Sequence, residues 1–403
     1  MTAVVTGLGV AAPTGLGIDD FWAAALTGRS GIGRISRFDP SSYPATLAGE
    51  VPGFVPEEHL SSRLIPQTDH MTRLALAAAD WALRDAEADP SALPGYEMGV
   101  VTASSSGGFE FGQREMEKLW SKGREYVSAY QSWAWFYAVN TGQISIRHGM
   151  RGPSGVVVSE QAGGIDALAQ ARRQIRKGLG LVVSGGMDSS LCPWGWVAQL
   201  SSGRLSTASD PDRAYLPFDE EASGHVPGEG GAILIVEDDR AARARGRDTS
   251  YGELAGFASA FDPKPGSGRE PALRRTIESA LADASVAPEQ VDAVFADAAG
   301  VPELDLAEAT AIASVFGARR VPVTAPKTLT GRLYSGGAPL DVVSALLAIR
   351  DGVIPPTFNV VPARRYPIDL VSGQPRETPI RTALVLARGH GGFNTAVVLR
   401  ATG

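Results

Sequence analysis

The chain has 403 residues, 44% hydrophobic and 20% charged, which is the composition of a folded globular protein. Its formal net charge of -7 offers no large basic field to a polyanion, and its single cysteine, Cys192, excludes an intrachain disulfide and a cysteine-rich metal site. The amino-terminal segment has no basic stretch, and no apolar run approaches the ~18 residues of a membrane span, so we expect a cytoplasmic protein that binds neither nucleic acid nor membrane.

Short apolar segments, most of them rich in valine, recur along the chain and predict buried strands. They are residues 3–7, 98–101, 156–158, 181–183 and 232–236. Between them, alanine and leucine recur at helical spacing at 71–88, and a further helical period covers 165–177. Strands that alternate with helices in this way indicate an α/β protein.

The length of the chain suits two fused halves of about 200 residues each rather than one core. A charged stretch at 237–248 lies between them, and a new strand is predicted at 251–258. We therefore expect one half at 1–245 and the other at 246–403.

A turn of small residues leads into a helix once in each half. Residues 162–168 precede a helix that ends near Gly178, and residues 335–341 precede one that ends near Gly352. Each turn follows a strand-like segment, which favours internal duplication. A chance occurrence of glycine pairs before helices is the alternative.

The first strand ends in Gly7-Leu8-Gly9, which superficially matches a dinucleotide-binding fingerprint. In that fingerprint a helix begins directly after the glycines, and its amino terminus binds the pyrophosphate. Here Pro13 and Gly15 intervene, and the next helix is predicted only near Asp19. The context argues against a nicotinamide or flavin site.

Several motifs occur in a fixed order from one end of the chain to the other. They are VTGLGV at 5–10, VVSGGMD at 182–188, PFD at 217–219, GEGG at 228–231, PKTLTG at 326–331, PPTFN at 355–359 and GGFN at 391–394. As a set they resemble the β-ketoacyl synthases. The resemblance implies a thiolase-like fold, in which two duplicated α/β halves stack as a five-layered αβαβα sandwich.

A condensing ketosynthase carries its acyl chain on a cysteine at a strand-to-helix turn and uses two histidines to stabilise the enolate and the oxyanion. At the positions that match this family's motifs, Gln161 replaces the cysteine, and Ala299 and Arg332 replace the histidines. Only Lys327 is retained. None of the histidines stands at either motif position; they are His59, His70, His148, His225 and His390. We therefore expect no condensation by this chain alone.

The turn at 160–164, Glu-Gln-Ala-Gly-Gly, precedes a helix with Arg172 and Arg173 and resembles the chain length factors, or ketosynthase β subunits, of type II polyketide synthases. The resemblance implies a heterodimer with a catalytic ketosynthase α subunit. It also implies a polyketide intermediate delivered on the phosphopantetheine of an acyl carrier protein, and neither cofactor nor metal bound by the chain itself. The complex would be an acyltransferase, and this subunit would set the length of the polyketide.

Two other functions are compatible with these residues. Gln161 could hydrogen-bond a thioester and make the chain a malonyl-carrier-protein decarboxylase that supplies acetyl starters, although the usual enolate donors are missing. A self-sufficient homodimeric scaffold is the other. Cys192 lies away from the nucleophile turn, and we expect it to be a packed apolar residue.

Nine of the 29 aromatic residues fall between Phe109 and Tyr137. If the start of this stretch is helical, Phe109, Gly112, Met116 and Trp120 share one face. From the pattern alone the face is a core or subunit-interface stripe. The resemblance implies instead that these residues and Trp194 line the end of the polyketide tunnel, and the absent side chain of Gly112 then predicts a roomy tunnel and a long product.

Two expectations concern arginines. An obligate cation at position 332 needs a carboxylate partner, and Asp297 and Glu160 are the candidates by motif. Basic pairs are candidates for contact with an acidic carrier protein, or simply solvated surface. They are Arg172-Arg173, Arg176-Lys177 and Arg364-Arg365.

Overall fold

The computed structural model describes residues 1–264 and 266–402. Its strands are β1 (Ala3–Ala12), β2 (Gly15–Leu16), β3 (Ile32–Arg34), β4 (Leu47–Gly49), β5 (Met98–Ala103), β6 (Ser154–Val157), β7 (Leu181–Asp188), β8 (Gly230–Asp238), β9 (Gly252–Phe261), β10 (Ala293–Phe295), β11 (Pro322–Thr324), β12 (Val353–Ile354), β13 (Asp369–Leu370), β14 (Arg376–Glu377), β15 (Thr382–Gly389) and β16 (Phe393–Arg400). The strands expected from valine-rich segments are confirmed.

The α-helices alternate with these strands. They are α1 (Ile18–Thr27), α2 (Pro56–His59), α3 (His70–Asp85), α4 (Phe109–Lys122), α5 (Gln131–Ala134), α6 (Val139–His148), α7 (Gly163–Arg176), α8 (Pro193–Leu200), α9 (Asp239–Ala244), α10 (Leu273–Ala284), α11 (Pro302–Phe316) and α12 (Gly337–Asp351). The helix predicted at 71–88 ends three residues earlier than expected. Among the described residues, no helix is both long and apolar enough to traverse a bilayer.

The strands form two groups with the same topology. In the first half the order across the sheet is β6-β5-β7-β8-β1, and in the second it is β11-β10-β15-β16-β9. Numbered over the five strands that the two groups have in common, leaving out β2 and β13, both orders are 3-2-4-5-1. Strands two to four are parallel, and strand five runs antiparallel to its neighbours in both groups. The repeated order supports internal duplication.

Five layers follow from where the side chains of each strand point. In β8, alternate residues pack either into the core that contains α7 and α12 or into the core that contains α3. In β15, alternate residues divide between that same central core and the core that contains α10 and α11. Helices α7 and α12 therefore lie between the two strand groups, and α3 and α6 on one side and α10 and α11 on the other cover the outer faces, which makes the thiolase-like αβαβα sandwich.

The glycines of the false dinucleotide fingerprint have a packing role. Gly7 and Gly9 lie inside β1, where helix α3 crosses closely. A Cβ atom at Gly9 would clash with the backbone oxygen of Ala78, and one at Gly7 with that of Ala82. Glycine is needed here because the backbone of the helix approaches the backbone of the strand.

The two central helices also meet closely. Gly164, near the start of α7, lies against Pro339 of α12, and a Cβ at Gly164 would clash with the proline ring. The charged stretch that was expected to separate the halves contains the end of β8 and helix α9, and β9 begins the second group of strands. We accordingly propose a boundary between the halves at residues 245 and 246.

Candidate functional site

Gln161 lies at a tight turn between β6 and α7. A single turn of 3-10 helix spans Glu160–Ala162, and α7 begins at Gly163. Glu160 has a positive φ of 52°, a conformation that L-residues adopt at a cost. The strand, strained turn and helix form the kind of elbow that presents a nucleophile in other enzymes.

The side chain of Gln161 is fully buried, and it does not line the cavity described below. Its amide lies against the first residue of α12, because a Cβ at Gly337 would be 2.5 Å from Nε2. Within the described residues neither amide atom has a hydrogen-bond partner. The amide therefore occupies the junction of the two central helices.

A cavity of about 460 Å³ lies beside this turn, and its wall includes Glu160, Ala299 and Arg332. The two residues at the histidine positions of the family motifs are thus brought together next to the elbow. Ala299 is buried and contributes only a methyl group. Arg332 is buried as well, so its charge needs partners inside the protein.

Arg332 has those partners, and the prediction that it pairs with Asp297 is confirmed. Its Nη1 and Nη2 donate to the two carboxylate oxygens of Asp297, each at 3.1 Å. The same two nitrogens also donate to the backbone oxygens of Asp297, at 3.0 Å, and of Arg388, at 3.1 Å. Glu160, the other candidate, instead accepts a hydrogen bond from the backbone amide of His390 at 2.8 Å.

Lys327 joins this arrangement from the opposite side. Its ammonium group lies 2.6 Å from a carboxylate oxygen of Asp341 on α12 and donates to the backbone oxygen of Asp297 at 3.0 Å. We call Asp297, Lys327, Arg332 and Asp341 the ionic cluster. Although burial opposes it, the charges of Arg332 and Lys327 hold the pKa of Asp297 below its ordinary value.

A further buried carboxylate supports the backbone next to the cluster. Glu308 on α11 accepts hydrogen bonds from the amides of Asp297, at 2.7 Å, and Ala298, at 2.8 Å. Burial, together with the charge of Asp297, raises the pKa of Glu308 to about 7. These bonds fix the loop in which Ala298 takes a positive φ and Ala299 faces the cavity.

The cavity residues that sequence motifs did not single out include Arg204, His225, Arg388 and His390. Burial and the charge of Arg332 lower the pKa of His225 to about 3, so its imidazole is neutral. Its Nε2 has no hydrogen-bond partner among the described residues. These residues come from loops and strand ends that lack periodicity, and only the fold brings them to one cavity.

Phe109, the first residue of α4, also lines the cavity. Its ring stacks on Trp194, with centroids 4.8 Å apart and planes inclined by 11°. Gly112 lies beside the same tryptophan, since a Cβ there would be 3.2 Å from the indole ring. The absence of a side chain at Gly112 therefore leaves space beside Trp194. The side chain of Met116 is exposed at the surface.

Beyond Phe109, the aromatic-rich stretch is largely open. We call the exposed large side chains of this stretch the aromatic face. They are Met116, Trp120, Tyr126, Trp133, Trp135, Phe136 and Tyr137. Trp120 retains 81% of its maximal accessible surface. Large apolar side chains exposed in this number are typical of a contact site for a partner rather than of an ordinary core.

Of two other candidates, Arg172 is placed differently from expectation and Cys192 as expected. Arg172 is buried and pairs with Asp283 at 2.6 Å, so both expectations for it, a carrier-protein contact and a solvated surface, are wrong; α7 is a central helix, and this face is covered. Cys192 is buried, and burial raises the pKa of its thiol to about 11. In the part of the chain that the structure describes, no group of three His, Cys, Asp or Glu side chains is arranged to hold a metal ion.

Comparison with known proteins places these features in a family. The family model "Beta-ketoacyl synthase, N-terminal domain" matches residues 2–242, and the corresponding C-terminal domain matches 251–361. An actinorhodin polyketide beta-ketoacyl synthase 2 of Streptomyces coelicolor is 66% identical over 99% of this chain and 98% of its own length. The tetracenomycin polyketide synthase ketoacyl synthase beta subunit of Streptomyces glaucescens is 61% identical, with 99% and 98% covered.

Solved structures show the same fold. The ishigamide ketosynthase/chain length factor superposes with a TM-score of 0.91 at 26% identity, covering 100% of this chain and 99% of that one. A type II polyketide synthase acyl-carrier protein in complex with its ketosynthase bound to the hexaketide includes a chain with a TM-score of 0.88, 27% identity and the same coverage.

Proposed function

The chain belongs to the beta-ketoacyl synthase family, among the β subunits of type II polyketide synthases, and we propose that it is a non-condensing chain length factor. In this role it pairs with a ketosynthase α subunit that carries the catalytic cysteine. An acyl carrier protein delivers the growing polyketide on its phosphopantetheine. The complex is an acyltransferase, and this subunit limits how many units are added.

The observation that carries the proposal is the ionic cluster at the position of the catalytic groups. Condensation needs a thiolate nucleophile and two neutral donors for the enolate and the oxyanion. Gln161 has no thiol, and the side chain of Ala299 has no hydrogen-bond donor. The guanidinium group of Arg332 is already paired with the carboxylate of Asp297. The one thiol in the chain, Cys192, is not in the cavity wall.

The burial of the Gln161 amide also argues against the decarboxylase alternative. A group that polarises a thioester must reach it within hydrogen-bonding distance. The amide lies against Gly337 and is outside the wall of the cavity. A subunit without catalytic activity does not require the amide of Gln161 to reach a thioester.

Pairing with another subunit is supported by two open surfaces. The aromatic face is exposed, and β6 pairs with β5 on one side only in the described sheet, which leaves a strand edge beside the exposed Val158. Unpaired edges and apolar patches are usually covered in the assembled protein. We assign Phe109, Gly112, Met116 and Trp194 to the closed end of a tunnel at this interface.

The test is reconstitution. The chain is expressed alone and together with a cysteine-bearing ketosynthase α subunit, and each preparation is given malonyl-loaded carrier protein. We expect a heterodimer that makes polyketide, and neither condensation nor release of carbon dioxide by the chain alone. A matched complex whose α subunit has alanine in place of its catalytic cysteine serves as control and should be inactive. Condensation by the isolated chain would refute the proposal, and decarboxylation by it would favour the starter-supplying alternative.

A further inference from the structure

The cavity beside the ionic cluster has one buried side and one side at the molecular surface. Ala299 and Arg332 on its inner wall are buried, whereas Ser201, His390 and Gly391 line it and are exposed. Its volume of about 460 Å³ falls in the range of about 300–1,000 Å³ that is usual for pockets that hold small organic molecules. A small molecule therefore has a route into this chain from the surface, apart from the proposed tunnel.

Two buried side chains in the cavity wall have polar atoms without a partner. Gln199, at the end of α8, retains 9% of its accessible surface; its Nε2 donates to the hydroxyl of Ser190, but its Oε1 has no hydrogen-bond partner among the described residues. The Nε2 of His225, which retains 7%, also has none in that part of the chain. Because buried polar groups are normally hydrogen-bonded, these two atoms indicate a bound molecule that completes them, water being the simplest.

Arg204 adds a positive charge to the same part of the wall. Its backbone oxygen accepts a hydrogen bond from the amide of His225 at 3.0 Å, and its side chain is half-buried. Within residues 1–264 and 266–402, no carboxylate lies within ion-pair distance of its guanidinium group. Arg388, the other half-buried arginine of the wall, lies 3.8 Å from Asp262. Arg204 is therefore available to an anionic group, and a guanidinium fits a carboxylate through two parallel hydrogen bonds, which favours more than water as the ligand.

The charges around His225 also favour an anion. Burial lowers the pKa of His225 to about 3; the charges of Arg332 and Arg204 act in the same direction, and that of Asp297 opposes them. Cations therefore outweigh carboxylates at this part of the wall. Glu160 lines the cavity as well, but on the side of the turn before α7, where its carboxylate accepts from a backbone amide.

The remaining wall indicates the rest of the ligand. Val301, Leu304 and Phe393 offer apolar contact to a carbon skeleton. A hydroxyl group can complete Gln199 in either orientation of its amide, because a hydroxyl both donates and accepts.

We propose that this cavity binds a small hydroxylated carboxylate, whose carboxylate pairs with Arg204, whose hydroxyl bonds to the amide of Gln199 and whose carbon skeleton packs against Val301 and Leu304. The inference goes beyond the proposed function, because it assigns to this chain a ligand site of its own that is reached from the surface.

The experiment is a calorimetric titration of the purified complex with three probes: salicylate, benzoate, which lacks the hydroxyl, and phenol, which lacks the carboxylate. We expect salicylate to bind most tightly. Arg204→Gln should weaken the binding of salicylate about 10-fold or more, because it removes a charge-assisted hydrogen bond. Arg240→Gln, on an exposed part of α9 outside the cavity wall, is the matched control and should leave the affinity unchanged. Gln199→Met should weaken the binding of salicylate but not that of benzoate.

Three results would overturn the inference. If Arg204→Gln binds salicylate as tightly as the wild type, the probe binds elsewhere, in the α subunit for example. If salicylate does not bind, water alone completes the buried atoms. If pantetheine, which has hydroxyl groups but no carboxylate, binds as tightly as salicylate, the carboxylate is not what the site recognises. Should Gln199→Met fail to assemble, the comparison of salicylate with benzoate on the unchanged complex tests the hydroxyl contact. The readout is binding, so the result does not depend on whether this chain sets product length.

Discussion

The ionic cluster and the aromatic face lie at opposite extremes of burial and pairing. In the cluster, four charged side chains are almost completely buried, and each is within ion-pair distance of an opposite charge. On the aromatic face, seven large apolar side chains remain exposed. At the position of the family's catalytic groups, the charged side chains of this chain pair with one another. At the aromatic face, the apolar side chains lack a surface that covers them, and a partner subunit would supply it. The contrast supports the proposal that this chain contributes through its interface with a partner rather than through the former catalytic site.

The largest effect should come from breaking the cluster. Arg332→Ala leaves the carboxylate of Asp297 buried without its bidentate partner, and loss of one member of a buried pair costs about 3–5 kcal/mol. We expect the free energy of unfolding, measured by denaturant titration, to fall by that amount.

The control for this change is Arg274→Ala. Arg274, on an exposed surface of α10, pairs with Glu270 and Glu278. Its replacement by alanine should leave the unfolding midpoint nearly unchanged. An equal loss of unfolding free energy in both variants would mean that the ionic cluster contributes no more to stability than surface ion pairs do.

A smaller effect, on association rather than on folding, should come from the aromatic face. Trp120→Ala removes the most exposed large ring of that face, and loss of an interface tryptophan commonly costs about 2 kcal/mol, or roughly 30-fold in affinity. The dissociation constant of the heterodimer is the measurement. Tyr96→Ala, which removes an exposed ring outside the aromatic face, is the matched control and should not change it.

The smallest effect is a pH dependence that involves His225 beside the cluster. The ordinary pKa of histidine is 6.5, whereas burial and the charge of Arg332 lower that of His225 to about 3. Between these values the unfolded chain binds a proton that the folded protein does not, so this residue's contribution to stability is full above pH 6.5 and declines as the pH falls. The decline is about 1.4 kcal/mol per pH unit.

Replacing the imidazole with a neutral amide should remove that decline. Between pH 6.5 and 5.5 the unfolded histidine passes from half to almost fully protonated, so His225→Gln should gain about 1 kcal/mol in unfolding free energy relative to the wild type. Glu308 has the opposite effect: because its pKa is raised, its contribution to the stability of the folded state falls as the pH rises. This effect is the same in both proteins and cancels when the variant is compared with the wild type. Parallel pH profiles for the two proteins would show that His225 titrates normally.

The sequence predicted the features that depend on local chemistry. Buried strands were recognisable because both of their faces are apolar, and the turn at Gln161 because small residues permit a strand to enter a helix abruptly. The partner of Arg332 was predictable because a buried guanidinium requires a carboxylate and Asp297 lies in the adjacent motif.

Other features depended on which surfaces the fold covers. Arg172 follows a pattern typical of a solvated helix, and only the central position of α7 explains why it is buried against Asp283. The aromatic residues between 109 and 137 predicted either a core or a subunit-interface stripe, and the sequence did not decide between them, because one chain does not contain the surface that would cover the stripe. His225 and His390 reach the cavity from loops with no periodic pattern.

We propose that this chain sets product length through the volume at the end of the tunnel. A series of increasingly large substitutions at Gly112 tests this proposal most directly. Gly112→Ala, Gly112→Thr and Gly112→Phe place increasing volume against Trp194, because even the first added atom, the Cβ, would lie 3.2 Å from the ring. Glu117→Phe, on an exposed part of the same helix, is the control. The wild-type complex should make a product of about ten or more units rather than about eight, given the open packing at Gly112 and Met116. We predict that the main product shortens stepwise along the series while the control keeps the wild-type length; an unchanged length across active Gly112 variants would contradict the account.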